Sequence, residues 1–299
     1  MRNFDYNRLK YCKWDGEVLG LIGAIHEYKG RQELFLRQKP AALDKLVEIA
    51  MVQSTESSNK IEGVVTTATR IKQLCSQKTT PRNRDEEEIS GYRDALSLIH
   101  ENYDYIPIKP SYILQLHKVL YGYSQRDIGG RFKNTQNYIA ETGDNGTQII
   151  RFMPLAPYET PMAVEAICES YNREADNGEV DPLILIPAFI LDFLCIHPFN
   201  DGNGRMSRLL TTLLLYRAGY AVGKYVSLES KIEKTKAGYY DALGKSDVNW
   251  NSGENDITPF IKYLLKIVLA AYREFEEKVT IAEGKVSAAG MVRKAVYNK

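Results

Sequence analysis

The sequence predicts a mainly α-helical protein with one β-hairpin. Three observations carry that expectation. Most segments between breakers repeat their apolar residues at helical spacing, prolines stand where helices begin, and only the stretch from Phe132 to Met153 pairs two β-branched or aromatic runs. After Pro40, residues Leu43, Leu46, Val47, Ala50 and Met51 fall at i, i+3 and i+4, an amphipathic helix. A polar interruption follows, and a second short helix is expected over Ser57–Ile61. The run PRNRDEEEIS places a proline and acids where a helix N-terminus favours them, then continues through Ile89, Ala95, Leu96 and Ile99. Its charges read as a solvated face. Another helix follows Pro110, and Gly129-Gly130 breaks the pattern. The hairpin then turns at Gly143-Asp144-Asn145-Gly146. Beyond it, helices are expected over Tyr158–Asp176, Pro182–Ile196, Arg205–Gly219, Ile232–Lys245 and Asp256–Glu283.

The 299 residues suffice for two domains or one large one with an appended segment. With 44% hydrophobic and 26% charged residues, the chain is an ordinary globular one rather than disordered. Lys and Arg total 39 against 38 Asp and Glu, so no overall field recruits nucleic acid or anionic membrane, and any polyanion site must be local. Cys12, Cys75, Cys168 and Cys195 form no C-x-x-C pair, which suggests neither a zinc cluster nor a disulfide framework and fits a reducing cytoplasm. The first residues lack the apolar region of a signal peptide. The apolar run Leu183–Ile196, interrupted by Pro187 and Asp192, is too short to span a bilayer and reads as a buried helix.

Chemistry concentrates in His197-Pro-Phe-Asn-Asp-Gly-Asn-Gly-Arg-Met-Ser-Arg208. A loop containing Gly202 and Gly204 that feeds a helix presents backbone N–H groups at the positive end of a macrodipole, an arrangement suited to phosphate. Arg205 and Arg208, three apart, can grip successive phosphates. Asp201 has the wrong sign for such a nest unless a divalent cation intervenes, so it reads as the protein ligand of a nucleotide-bound Mg²⁺. His197 titrates near neutrality and can take a proton from an incoming hydroxyl. Phosphoryl or nucleotidyl transfer follows. His26, His100 and His117 lack metal-ligand spacing and read as structural or exposed.

This segment resembles the Fic family motif H-P-F-x-[DE]-G-N-G-R-x-x-R at every specified position. The resemblance implies a Fic-fold helical bundle with a β-hairpin flap, and transfer of AMP from ATP to a Ser, Thr or Tyr hydroxyl of a target protein. His197 would be the general base, Phe199 the anchor of the loop, Asp201 the Mg²⁺ ligand, and Gly202, Asn203 and Gly204 the anion hole. Arg205 would contact phosphate, and Arg208 would hold the γ-phosphate. Gly204 stands where kinase-like relatives have Lys, which favours adenylylation. Ser58-Asn-Lys-Ile-Glu62-Gly63 is similar to the family's inhibitory motif [ST]-x-x-x-E-[GN], so Glu62 would pair with Arg208 and withhold it from ATP. The flap would add a target segment as a strand, with Asn137, Tyr138, Ile139 and Ala140 over the nucleotide. In AGYYDAL, Tyr240 would stack on adenine.

The resemblance further implies an N-terminal helical segment at 1–105 carrying the inhibitory helix, a Fic core at 106–250 and a C-terminal helical extension at 251–299. Relatives with such an N-terminal segment often continue into a winged-helix module, whereas this sequence ends at Lys299 soon after its last long helix. The leading expectation is an autoinhibited protein adenylyltransferase with ATP and Mg²⁺. Its alternatives are an enzyme in which Glu62 positions water to remove AMP, and a nucleotide-sensing interaction protein. Self-modification, for instance on some of the 20 tyrosines, and homodimerisation stay open.

Overall fold

The computed structural model describes residues 2–38, 40–76, 79–142 and 147–283. It is mainly helical with one small two-stranded antiparallel sheet, as expected. The helices are α1 (Gly16–Gln38), α2 (Pro40–Ile61), α3 (Ala68–Ser76), α4 (Arg84–Asn102) and α5 (Pro110–Leu120). Strands β1 (Ile139–Thr142) and β2 (Gln148–Phe152) come next, then α6 (Thr160–Asn177), α7 (Pro182–Ile196), α8 (Asn203–Arg217), α9 (Leu228–Lys234), α10 (Lys236–Ser246) and α11 (Thr258–Glu283). The hairpin's expected turn, 143–146, lies outside the described residues. Among those residues, no helix is long and apolar enough to cross a membrane.

Helix α7 is the axis of the core. Every residue from Leu183 to Ile196 is buried, so the helix is apolar all round, and it packs against α6, α8 and α11. Pro187 removes one backbone donor without ending the helix. Asp192, the one acid in the run, accepts hydrogen bonds from Trp250 Nε1 at 2.6 Å and Tyr6 Oη at 3.0 Å, and Arg2 lies 3.3 Å away. The N-terminal segment and the turn at Trp250 are thereby tied to α7, and one large core runs from Phe4 to Val279.

Four features differ from the sequence expectation. Helix α2 is continuous, with no interruption before Ser57, because Ser54, Thr55, Ser57, Ser58 and Asn59 are buried against the rest of the protein rather than solvated. Ser57 Oγ donates to Glu233 at 2.8 Å, and Asn59 Nδ2 donates to the Thr55 carbonyl at 2.7 Å. The charges of α4 are not a solvated face either: Glu86 and Glu88 are buried, on Arg70 at 2.6 Å and on Arg205 at 2.8 Å. The helix expected over Ile232–Lys245 is two helices, divided at Thr235, whose N–H bonds back to Lys231 and Ile232 carbonyls. Helix α1 was not expected, since Gly16, Gly20, Gly23 and Gly30 weaken its intrinsic propensity; packing along α11 supplies what propensity lacks.

Candidate active site

Helix α7 delivers His197. The residue caps the helix in left-handed backbone (φ 52°, ψ 62°), with its N–H on the Phe193 carbonyl at 3.0 Å. Its Nδ1 lies 3.3 Å from the Leu194 carbonyl, an acceptor only, so Nδ1 carries the proton and Nε2 keeps its lone pair. Burial pushes the imidazole pKa down to about 4; the Leu194 bond opposes this, Lys133 assists it, and Glu62 and Asp201 oppose it. At neutral pH the ring is therefore an uncharged base.

The following loop turns on Phe199, which is fully buried and stacks on His117 with ring centroids 3.7 Å apart and planes 2° from parallel. Gly130 N–H donates to His117 Nδ1, leaving His117 Nε2–H to donate to the Asp201 carbonyl at 3.1 Å. Asn203 closes the loop from within: its Oδ1 accepts from Phe199 N–H at 2.9 Å and its Nδ2 donates to the Phe199 carbonyl at 2.7 Å. Its side chain thus shapes the loop, and only its backbone N–H is left for an anion. Gly202 caps α8 with φ 84°, where a Cβ would lie 2.9 Å from the Tyr121 hydroxyl, so glycine is required for both conformation and space. The uncapped first turn of α8 presents orphan N–H groups.

The two arginines part ways. Arg208, nearly fully buried, turns toward α2, giving Nε to Ser58 Oγ at 2.8 Å and Nη2 to the Ser58 carbonyl at 2.9 Å and Glu62 Oε1 at 2.7 Å. Burial would lower the guanidinium pKa, but Glu62 together with Tyr92 and Tyr239 outweighs it and the net shift is upward. Gly63, in left-handed backbone (φ 80°), turns the chain away just after Glu62. A Cβ on Gly204 would lie 2.3 Å from Glu62 Oε1, so the glycine makes room for the pair. Arg205 instead points inward, to Glu88 at 2.8 Å and the Tyr121 hydroxyl at 2.8 Å.

Asp201 sits at the loop's outer rim with its side chain 36% exposed. Oδ1 accepts from Gly202 N–H at 2.7 Å and Oδ2 from Arg126 at 2.9 Å. Burial would raise its pKa, but Arg126 and Arg205 prevail and the carboxyl titrates below its ordinary value. It is therefore an anionic oxygen ligand of the hard type Mg²⁺ takes. No group of three His, Cys, Asp or Glu that could hold a metal occurs among the described residues, so this donor fits an ion that arrives with phosphate oxygens rather than one caged by protein.

Around His197 opens a cavity of about 380 Å³, within the range of small-molecule sites. Glu62, Gly204 and Arg208 line it beside His197, with Ile139 and Ala140 of β1 above and Tyr239, Tyr240 and Leu243 of α10 opposite. Residues 107–215 match the model of the Fic/DOC family. Over that segment the chain is similar to Fic/DOC proteins. It is similar to protein adenylyltransferase fic-1 of Caenorhabditis elegans, 28% identical over 188 residues covering 61% of this chain and 32% of that protein. Similarity also extends to protein adenylyltransferase Fic of Drosophila melanogaster, 26% identical over 81% of this chain and 43% of that protein. The chain thus spans about a third to under half the length of these relatives. A Fic domain containing signaling protein from Bacteroides thetaiotaomicron superposes with a TM-score of 0.71 at 24% identity, covering 86% of this chain and 98% of that one. A Fic family protein from Desulfovibrio desulfuricans also gives 0.71, at 22% identity over 94% and 80%. These likenesses show the Fic fold.

Within this cavity the structure gathers His197, Gly204, Arg208, Glu62, Ile139, Ala140 and Tyr240, seven of the residues singled out in sequence. Others stand outside its lining: Asp201, Gly202, Asn203 and Arg205 behind or below it, Ser58 and Gly63 on the α2 side, and Asn137 and Tyr138 before β1, the latter 57% exposed. His117, read from sequence as structural or exposed, is the buried ring under Phe199, and sequence reasoning missed Glu88, the buried acid under Arg205. It also missed Arg151. At the bulge where Ile139 pairs with Phe152 and Ala140 with Ile150, Arg151 is the extra residue, and its side chain lines the cavity while pairing with Asp247 at 2.6 Å. An acid or arginine three or four residues from an apolar stripe carries no periodic mark, so none of these was available to pattern reading.

Proposed function

We propose that this chain is a protein adenylyltransferase held in check by Glu62. The observation that carries the proposal is the convergence in one cavity of an uncharged His197, the N-terminal turn of α8 and an arginine, Arg208, already engaged by a carboxylate. The names of the distant relatives support the same activity.

In this reading ATP lies between Tyr240 and the α8 N-terminus, its phosphates on the orphan N–H groups and on Arg208. Asp201 would hold Mg²⁺ together with phosphate oxygens, and the ion would supply charge neutralisation to the phosphates. A target hydroxyl, brought in along the exposed edge of the hairpin, gives its proton to His197 Nε2 as its oxygen attacks the α-phosphorus. The new bond is oxygen to α-phosphorus. The bond that breaks joins the α-phosphorus to the oxygen bridging to the β-phosphate, and pyrophosphate leaves with that electron pair. Nδ1–H on the Leu194 carbonyl fixes the tautomer this requires and stabilises the imidazolium formed.

While Arg208 is bonded to Ser58 and Glu62, it is not available to draw the γ-phosphate into line. Charge-assisted bonds of this kind contribute about 1.5–3 kcal/mol. Solvent at the Glu62 side chain, which is 33% exposed, favours the lower part of that range. Incubation with labelled ATP and Mg²⁺ tests the proposal, with wild type weak and Glu62→Gly strong in label transfer to protein. Binding of ATP with no transfer by either form would leave the chain a nucleotide sensor instead.

A second reading rests on Glu62 lining the same cavity as His197. The carboxylate is placed to orient a water toward a phosphorus held there, which is the requirement for removing AMP from a modified hydroxyl. Loss of label from a pre-modified protein, abolished by Glu62→Gly, would favour it.

A further inference from the structure

The buried cation beside the motif loop is unaccounted for by the chemistry above. Lys133 lies in the segment between α5 and β1 and is 3% exposed. Among the described residues no carboxylate comes within ion-pair distance of it, and burial pushes its pKa down to about 8 despite an opposing influence from Glu159. Its hydrogen bonds go elsewhere. Nζ donates to the Ile196 carbonyl at 3.0 Å and to Asn137 Oδ1 at 3.1 Å, and the Lys133 backbone N–H donates to the Pro198 carbonyl at 2.8 Å. Asn137 Nδ2 in turn donates to the Phe199 carbonyl at 3.0 Å. Two residues therefore hold the carbonyls of 196, 198 and 199, which flank His197 on both sides.

We propose that Lys133, with Asn137 as its bridge, is a positioning residue for His197. The inference rests on the reading of His197 as the base and deepens it. His197 occupies left-handed backbone that a non-glycine residue adopts only when its surroundings over-determine it. The carbonyl of Ile196 is the last of α7 and has no intrahelical partner, and an ammonium at a helix C-terminus satisfies it and complements the dipole. With the peptides before and after His197 anchored, the ring has one backbone position from which Nδ1 meets Leu194 and Nε2 faces the cavity. Asn137, placed over the nucleotide by sequence, acts here on the base side of the site.

The charged groups that bear on the His197 ring are Lys133 from the segment before β1, Glu62 from the end of α2 and Asp201 from its own loop. Of these only Lys133 lowers its pKa, so removing the ammonium must raise it.

The test compares Lys133→Met and Lys133→Arg with their parent, the full chain carrying Glu62→Gly. For Lys133→Met we expect kcat for AMP transfer to fall about a hundredfold, the cost of displacing a catalytic group by roughly 1 Å, with KM for ATP unchanged. Lys133→Arg, which keeps the cation and its donors, restores most of the rate. An NMR titration of the His197 ring gives a readout independent of transfer: its pKa rises in Lys133→Met and stays low in Lys133→Arg. Should Lys133→Met fail to fold, Asn137→Ala is read instead and is expected to lower kcat alone. Parental kcat together with an unmoved His197 titration overturns the inference, as does a loss spread equally over KM and kcat. If the Glu62→Gly parent transfers no AMP, the proposed activity falls and the titration still decides the place of Lys133.

Discussion

Glu62 and Arg208, 146 residues apart in sequence, meet at 2.7 Å across the candidate nucleotide cavity. The contact is seated on both sides. Ser58, one turn before Glu62 on α2, takes two further hydrogen bonds from the same guanidinium, and Gly204 leaves the space into which the carboxylate fits.

Releasing that contact is expected to raise activity. Glu62→Gly should increase AMP transfer roughly ten- to a hundredfold, the equivalent of a charge-assisted hydrogen bond, most visibly as self-modification. The double variant Glu62→Gly with Arg208→Ala should lose the gain, because release acts through the arginine. Labelled ATP measures all three forms, and additive effects would mean the two residues act separately.

His197→Ala should reduce transfer by roughly 10²- to 10⁴-fold while ATP still binds, since no phosphate contact is removed. Calorimetric ATP titration beside a transfer assay checks both halves. Nearly normal transfer would remove His197 from the mechanism.

Asp201→Ala should abolish the Mg²⁺ dependence of ATP binding together with transfer. The carboxylate is the protein's oxygen donor at that rim, and Arg126, which now bonds it, offers a cation no substitute ligand. Titrating Mg²⁺ against bound nucleotide decides it, and an unchanged midpoint would place the ion elsewhere.

The pH dependence has a worked sign. Burial pushes His100, His117 and His197 down from the ordinary 6.5 to about 4. Between those values the unfolded chain holds protons that the folded chain does not, so stability is complete above about pH 6.5 and declines as pH falls toward 4. His100→Phe, outside the site, should flatten the slope of Tm against pH over that window; an identical slope would contradict the assignment. In the Glu62→Gly background the acidic limb of transfer should lie no higher than about pH 4, because the carboxylate that raises the His197 pKa is gone.

Gly202→Ala should destabilise the fold by about 1–2 kcal/mol from left-handed backbone alone. The Cβ also presses on Tyr121, whose hydroxyl holds Arg205. Thermal unfolding should show Tm lower by a few degrees. An unchanged Tm would mean that the loop relaxes around the methyl group.

Much of this protein was legible in its sequence. Period and breakers placed α5 and α7, and the hairpin, because apolar stripes and prolines act locally. The twelve residues from His197 to Arg208 also showed their local form, since a glycine-bearing turn into a helix needs only near neighbours to form. What the sequence left undecided depends on contacts between segments far apart. Whether the acids of α4 face water or Arg205, whether the polar stretch of α2 breaks the helix or buries it, and whether a glycine-rich segment becomes α1 are each settled by what packs opposite. The same holds inside the site. Sequence names His197 and Arg208, but the tautomer of one, the partner of the other and the anchoring of the loop by Lys133 and His117 come from tertiary structure. Burial there removes water as the competing hydrogen-bond partner, and each polar group must then be met by a residue from elsewhere in the chain.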